Sequence, residues 1–400
     1  MDMSYYKEPV IILGGDSVNV LAVSRNLGKN HVKVYYASSI KNEVSYSKYC
    51  QKHFIISDIE KNKEVLREFL LEIKKIIKDQ AVLFPCSDLL CMNLSQILND
   101  LDEKFISFVD KNVTPTLINK RKFYMSLYRN KVPYPNTYFP ENYEDIKEIE
   151  NSIVFPVLIK PAITQLFSRF NRKALIARSK KDLEKYYKLV VKYDIEFVIQ
   201  EIIPGPPTNQ FGIAGYFDKN HNPKGLFAYR RIREWPIGLG NGSLIESIPI
   251  HEVSNIKDII INYLKNLKYC GLFDAEFKKD LHNGNFRLLE INARSWWQNH
   301  FPTICGINLV MMAYLDAIGE KIEYRETYET GVRWIHFIND VFSLYGMFKN
   351  RSIHFSEWVQ SYNNIRDYAY FNADDALPWF INPLMVGPVY FRSLKRKLFK

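Results

Sequence analysis

The first strong pattern along the chain is an apolar run, Val10–Leu13, stopped by Gly14-Gly15. Apolar positions then recur at helical spacing (Val18, Leu21, Ala22, Leu27) as far as Gly28, and a second apolar run covers 32–37. Runs too short for a helix on either side of a 3.6-residue period predict strand–helix–strand, the opening of an α/β domain on a parallel sheet. An amphipathic stretch over 63–78 and a buried strand over 81–84 continue it, ending at Pro85-Cys86-Ser87-Asp88. The spacing next predicts a helix over 120–129, which runs into Val132-Pro133-Tyr134-Pro135. Beyond that turn the pattern changes to short strands at 157–159, 174–177, 197–199, 212–217 and 226–229, with one helix at 181–191. That mixture predicts an α+β second part. A hairpin follows from 272–281 and 286–292, then a helix at 309–318 and aromatic-rich helical segments over 332–362.

Gly14-Gly15 invites a dinucleotide-site reading, but the GxGxxG spacing is absent. The second strand also ends Tyr36-Ala37-Ser38-Ser39, without the acid that would hold a ribose. The pair therefore reads as a tight turn into a helix. Ser87-Asp88 reads either as a helix cap or as part of a ligand site, because it stands at the carboxyl end of a strand.

The hairpin carries the chemistry. Period-2 alternation puts Glu290 and Asn292 on one face of the second strand and Leu289 and Ile291 on the other. Glu276 joins that face if it pairs with Glu290. A three-residue loop, His282-Asn283-Gly284 with Gly284 left-handed, gives that register, whereas a two-residue loop would send Glu276 to the opposite side. Two carboxylates and an amide oxygen on one face are hard donors suited to Mg²⁺, which takes carboxylates together with nucleotide phosphates.

Composition narrows the class. A 400-residue chain with 47% hydrophobic and 24% charged residues has ample core for two or three domains. Five scattered cysteines, with no CxxC pair, argue against a zinc site and fit a reducing compartment. The first residues lack the basic and apolar parts of a signal peptide, and no uncharged apolar run reaches spanning length. The expected location is the cytoplasm. A net charge of +10 raises nucleic acid as a partner. Five of those charges lie in 392–400, however, and no basic stretch with interleaved aromatics occurs outside the tail, so no nucleic-acid role is expected.

Glu276 with Glu290-x-Asn292-x-Arg294 resembles the metal-binding end of the ATP-grasp superfamily of carboxylate–amine ligases, nearest the D-aspartate-ligase-like branch. The resemblance extends upstream in order, over roughly 10–319: Asn119-Lys120 before a helix, Val132-Pro133-Tyr134-Pro135, Lys160-Pro161 ending a strand, and Gln200-Glu201-Ile202-Ile203-Pro204-Gly205 as an adenine hinge. It implies an N-terminal Rossmann-like domain over 1–115 and two ATP-grasp subdomains over 116–200 and 201–325. A helical extension with a basic aromatic tail is expected over 326–400. It implies ATP and Mg²⁺ (or Mn²⁺) as cofactors, and small-molecule carboxylate and amine substrates joined through an acyl phosphate. Lys120, Lys160, Gln200, Glu201, Ile203 and Gln210 are then expected around the nucleotide, with Glu276, Glu290 and Asn292 on the metal. Arg294 is expected at the acyl phosphate, with Arg231 or Arg233 reaching the γ-phosphate or a substrate carboxylate; a solvated basic strand is the competing reading of that pair. The stretch 162–173 after the second lysine lacks the family's usual glycines, although Ser168, Arg169, Arg172 and Lys173 remain able to bind phosphate. The glycines Gly238, Gly240 and Gly242 fall in a different loop instead. The tail, with prolines and aromatics followed by Arg392–Lys400, fits peripheral contact with an anionic membrane, or a packed aromatic strip with a basic end.

Overall fold

The computed structural model describes residues 6–170 and 172–385; the basic tail lies outside the described residues. The N-terminal part holds five parallel strands, β1 (Val10–Leu13), β2 (Val34–Ser38), β3 (Cys50–Ile55), β4 (Ala81–Pro85) and β5 (Phe105–Ser107), in the order β3-β2-β1-β4-β5. β1 and β4 are buried along their whole length, which is why they read as unbroken apolar runs rather than alternating ones. The chain goes from β1 to one side of the sheet and returns to the other at β4. The carboxyl ends of these two strands are therefore the switch point at which open α/β sheets collect ligands. Asp88 begins the helix that leaves β4, capped by Ser87.

A four-stranded antiparallel sheet follows, β6 (Thr137–Tyr138), β7 (Val157–Pro161), β8 (Leu175–Ala177) and β9 (Phe197–Glu201), ordered β6-β9-β7-β8. Helices Tyr143–Ser152 and Lys180–Lys192 cover it through Ile146, Leu183 and Val190.

The third sheet has seven strands: β10 (Gln210–Phe217), β11 (Pro223–Trp235), β12 (Asn241–Ser247), β13 (Gly271–Lys279), β14 (Phe286–Asn292), β15 (Arg333–Ile335) and β16 (Ile365–Tyr368). Their order is β14-β13-β10-β11-β12-β15-β16. One face packs Phe273, Ala275, Phe277 and Ile291 against helix Ser254–Asn266 and against Phe123, Tyr124 and Leu127 of helix Lys120–Arg129. Helix Leu309–Ala317 covers part of the other face.

The stretch after 326, expected to be a helical extension, also contributes two strands. Three or four residues are too few to show a period of their own, and the open edge of β12 recruits them. The same stretch is clamped to the N-terminal sheet. Arg25 donates Nε to Asp375 (3.0 Å) and Nη2 to the Tyr370 and Asp375 carbonyls (both 2.9 Å), and Ser47 and the Lys48 amide complete the Asp375 carboxylate. Among the described residues no helix is long and apolar enough to cross a membrane.

Candidate active site

The β13–β14 hairpin pairs Glu276 with Glu290 and Asp274 with Asn292, so all four polar side chains stand on one face. The turn that produces this differs from the expected one. Asp280 and Asn285 close a four-residue loop over 281–284, with Gly284 left-handed at φ +71°. That register, which pairs Lys279 with Phe286, would set Glu276 opposite Leu289 and point the two glutamates apart. A bulge at Leu289 absorbs one residue and restores the pairing. Two backbone groups at the bulge find partners outside the hairpin: the Leu288 amide donates to the Pro133 carbonyl (2.9 Å) and the Tyr124 hydroxyl donates to the Leu289 carbonyl (2.6 Å).

Glu276 keeps 17% of its side-chain surface. Its Oε2 accepts from Arg231 Nη2 at 3.0 Å and also from Gln210 Nε2. Burial raises its pKa, opposed by Arg231. Burial would raise Glu290 as well, but the positive charges of Lys120, Lys173 and Lys160 hold it below the ordinary carboxylate value. The lysines come from the four-stranded sheet and its surroundings. Lys120 opens its helix after the capping residue Asn119 and donates Nζ to Thr164 (2.9 Å). Lys160 lies on β7 and donates Nζ to Gln200 Oε1 on β9 (2.7 Å). Burial depresses the Lys160 pKa to about 8. Lys173 bonds Asn241 at the start of β12, so the glycine-free stretch after Lys160 bridges the two antiparallel sheets. A row of acids thus faces a row of ammonium groups across the two sheets.

Arg294 follows the hairpin and reaches the switch point of the parallel sheet. Its Nε donates to Asp88 at 2.6 Å, Nη1 to the Ser295 carbonyl at 2.8 Å, and Nη2 lies 3.4 Å from Asn292 Oδ1. Burial lowers its pKa, but Asp88 more than offsets this and holds it raised. All three sheets therefore meet at this site.

The remaining expected residues fall as follows. The side chain of Gln200 is engaged at both ends: Oε1 accepts from Lys160 and Nε2 donates to Thr137 (2.8 Å), so it anchors Lys160. Both Glu201 carboxylate oxygens are taken by Asn136, through its amide (2.8 Å) and its Nδ2 (3.1 Å). Ile203 is buried at the end of the hinge strand. Arg231 joins the acid face. Arg233, the other arginine expected to reach the γ-phosphate or a substrate carboxylate, does not. Irregularities in β11 on either side of Arg233 break the alternation, so Arg231 and Glu234 share a side. Arg233 instead forms a bidentate pair with Asp340 on helix Phe337–Lys349, both contacts at 2.8 Å. Glycines 238 and 240 form the turn that follows. Glu234 Oε1 accepts the Gly238 amide (2.7 Å), and Arg231 Nη1 donates to the Gly240 carbonyl (3.0 Å).

Sequence reasoning missed Asp274, Tyr229 and Glu234. Alternation from Glu276 was enough to place Asp274 on the same face; nothing local signals the other two. An open groove of about 530 Å³, lined by Tyr128, Pro133, Tyr134, Tyr138 and Arg287, lies beside β6 and does not include the acid face.

The donor chemistry fits a hard cation. Glu276, Glu290 and Asn292 present oxygens, yet among the described residues no group of three or more His, Cys, Asp or Glu could by itself hold a metal. Mg²⁺ is usually held by one or two carboxylates and completed by phosphate oxygens.

No family model matches the chain. Its sequence is 26% identical over 339 residues to D-aspartate ligase of Enterococcus faecium, covering 81% of this chain and 80% of the relative. It is 24% identical over 205 residues to D-alanine–D-alanine ligase of Borreliella burgdorferi, covering 47% and 55%. Among solved structures, biotin carboxylase of Campylobacter jejuni matches with a TM-score of 0.65 at 17% identity, over 81% of this chain and 74% of the other. The N5-carboxyaminoimidazole synthetase of Staphylococcus aureus, complexed with ADP, matches with a TM-score of 0.64 at 13% identity, over 82% and 81%. A parallel N-terminal sheet, a small antiparallel sheet that carries Lys160 and a large one that carries the acids, together with these similarities, give the chain the ATP-grasp fold, and its sequence is similar to carboxylate–amine ligases of that fold.

Proposed function

We propose that the protein is an ATP-dependent, ADP-forming ligase that joins a carboxylate to an amine through an acyl phosphate. The observation that carries this is the acid face of β13–β14 set against Lys120, Lys160 and Lys173, with Arg294 at the edge. Compact ammonium groups neutralise phosphate charge. The hinge backbone beyond Glu201 is the proposed partner of the adenine edge, and Gln210, which donates to Glu276, the proposed partner of a ribose hydroxyl.

Glu276, Glu290 and Asn292 would hold a Mg²⁺ ion, which would supply charge neutralisation at the transferring phosphoryl group. The substrate carboxylate attacks the γ-phosphorus, the bond to the β-phosphate oxygen breaks, and ADP leaves. The amine nitrogen then attacks the acyl carbon, inorganic phosphate departs, and the nitrogen loses a proton to give the amide. Arg294 stabilises the negative charge that builds up on the acyl oxygen in this step. Arg231 exchanges its contact with Glu276 for a substrate or phosphate oxygen.

The similarity to D-aspartate ligase makes an amino acid, D-aspartate first, the acid to test, with the amine carried by a cell-envelope precursor. The test is ADP release from Mg·ATP over D- and L-amino acids with nucleotide-linked peptide acceptors. Amide formation that depends on one acid–amine pair and is lost in Glu290→Gln is expected; full ligation by Glu290→Ala would sink the proposal. Membrane contact by Arg392–Lys400 is a separate proposal: deletion of that tail should abolish sedimentation with anionic vesicles, and unchanged sedimentation would refute it.

A further inference from the structure

Asp274 has no part in the scheme above, yet it is the most deeply buried acid of the hairpin, 1% exposed. A carboxylate at that depth beside Glu276 is expensive, and both burial and Glu276 raise its pKa. Folding alone would be served better by an apolar residue there. Its two oxygens are both engaged. Oδ1 accepts from the Tyr229 hydroxyl at 2.8 Å, and Oδ2 accepts from Asn292 Nδ2 at 3.2 Å.

The Tyr229 contact has been given room. Tyr229 lies on β11 and Asp274 on β13, with β10 between them. The ring crosses β10 at Gly212, where a Cβ would sit 2.0 Å from Tyr229 Cζ. Any side chain at 212 would displace the ring and release its hydroxyl from Asp274.

The Asn292 contact decides which way an amide faces. One end of that amide is a donor and the other an acceptor, and only the oxygen can ligate a cation. Asp274 keeps an accepting oxygen toward Asn292 whether or not it is protonated, so Nδ2 is drawn to it. Oδ1 is thereby turned to the opposite side, toward Arg294 Nη2 at 3.4 Å. We infer that Asp274, locked by Tyr229 over Gly212, is a positioning residue that fixes Asn292 with its oxygen toward the metal and phosphates. This rests on the ligase reading, since an orientation device at Asn292 has a purpose only if a cation binds there.

The test is Mn²⁺ binding to the full chain in the presence of ADP, followed by electron paramagnetic resonance, with ADP binding in the absence of metal measured alongside. Asp274→Leu keeps the volume and removes both acceptors. It should weaken Mn²⁺ binding about 10–100-fold, with metal-free ADP binding unchanged. Asp274→Asn retains an acceptor for Asn292 and should recover most of the loss. Tyr229→Phe leaves the carboxylate unlocked and should show a several-fold loss. Wild-type Mn²⁺ affinity in a folded Asp274→Leu overturns the inference, as does an Asp274→Asn no better than Asp274→Leu. If Asp274→Leu does not fold, Tyr229→Phe decides, and undiminished affinity there overturns it. A wild-type protein that binds no Mn²⁺ with ADP defeats the ligase reading itself, a different outcome from any of these.

Discussion

Arg231 and Arg233 lie two residues apart on β11 and end in different surroundings. Arg231 is shared between Glu234 and Glu276 and stands beside acids that face the lysines across the cleft. Arg233 is 2% exposed, against an Asp340 that is wholly buried. Its third nitrogen donates to Ser361 (2.7 Å), while Ser243 and Tyr362 complete the Asp340 carboxylate. All three guanidinium nitrogens of Arg233 thus donate to protein acceptors. On the other side, Glu276 is the oxygen donor a cation would compete for. Two identical side chains on one strand thus end in different places, one on the acid face of the hairpin and one at the docking of the C-terminal segment. What separates them is a local irregularity of the strand rather than anything in their chemistry.

The sharpest break of this comparison is at Glu290. Glu290→Gln should lower ADP formation about 10³-fold, roughly 4 kcal/mol in the barrier. The melting temperature should fall modestly, because the ionised Glu290 is held by Lys120, Lys173 and Lys160 in the folded protein. Activity close to normal in an ADP-release assay would show that the acid face is not the reacting face.

Next in size, Arg233→Ala should destabilise the fold by about 3–5 kcal/mol, since Asp340 is left buried without its partner. Urea denaturation measures this. The turnover of the fraction that remains folded should be nearly unchanged; a selective loss of turnover would bring Arg233 back into the chemistry.

Arg231→Ala should behave differently. It leaves Glu234 and Glu276 uncompensated, and Mg²⁺ with ADP can replace the lost charge at Glu276. Its melting temperature should therefore rise more on adding Mg·ADP than that of the wild type, while Arg233→Ala shows no such excess. Equal shifts in both variants, read by scanning calorimetry, would erase the distinction.

The smallest effect concerns pH. Burial holds the Lys160 pKa at about 8, below its ordinary 10.5. Nucleotide phosphates favour the charged form, so ADP affinity should be flat below pH 8 and fall as pH rises toward 10, with a proton taken up on binding in that window. Lys160→Arg should remove the fall. The ligand-free fold moves the other way: over the same window the unfolded chain keeps a proton that the folded one has lost, so this group's contribution to stability rises with pH. Titration calorimetry in two buffers checks the proton uptake.

Much of this was legible in the sequence because it is periodic. The buried runs of β1 and β4, the helices at 17–28 and 120–129, and Glu290 and Asn292 on a common face follow from counting. The seven-stranded sheet was less so. Strand β11 extends to Trp235 although only 226–229 reads as a strand, because Arg230, Arg231, Arg233 and Glu234 interrupt its apolar pattern; Arg231 and Glu234 pair with each other, and the arginines reach Glu246, Glu276 and Asp340 on other elements. Strands β15 and β16 are too short to announce themselves. The acids that neutralise the arginines, Asp88 and Asp340, lie 206 and 107 residues away in the chain. No local spacing encodes such partners, which is why Arg233 looked equivalent to Arg231.

The hairpin was right in its pairing and wrong in its means, and that difference has a consequence for anyone rebuilding the chain. The even loop and the single bulge are two offsets of one residue that cancel, in the manner of a mutation and its suppressor. Removing one residue from 281–284, or forbidding the bulge, flips the parity of the strand and turns Glu276 and Glu290 away from each other. Doing both restores it. The doubly altered hairpin would no longer depend on Tyr124 and Pro133 for its alignment, so the acid strand could be grafted or exchanged as a free-standing unit. The natural hairpin cannot, because its reading frame is held by a neighbouring part of the protein.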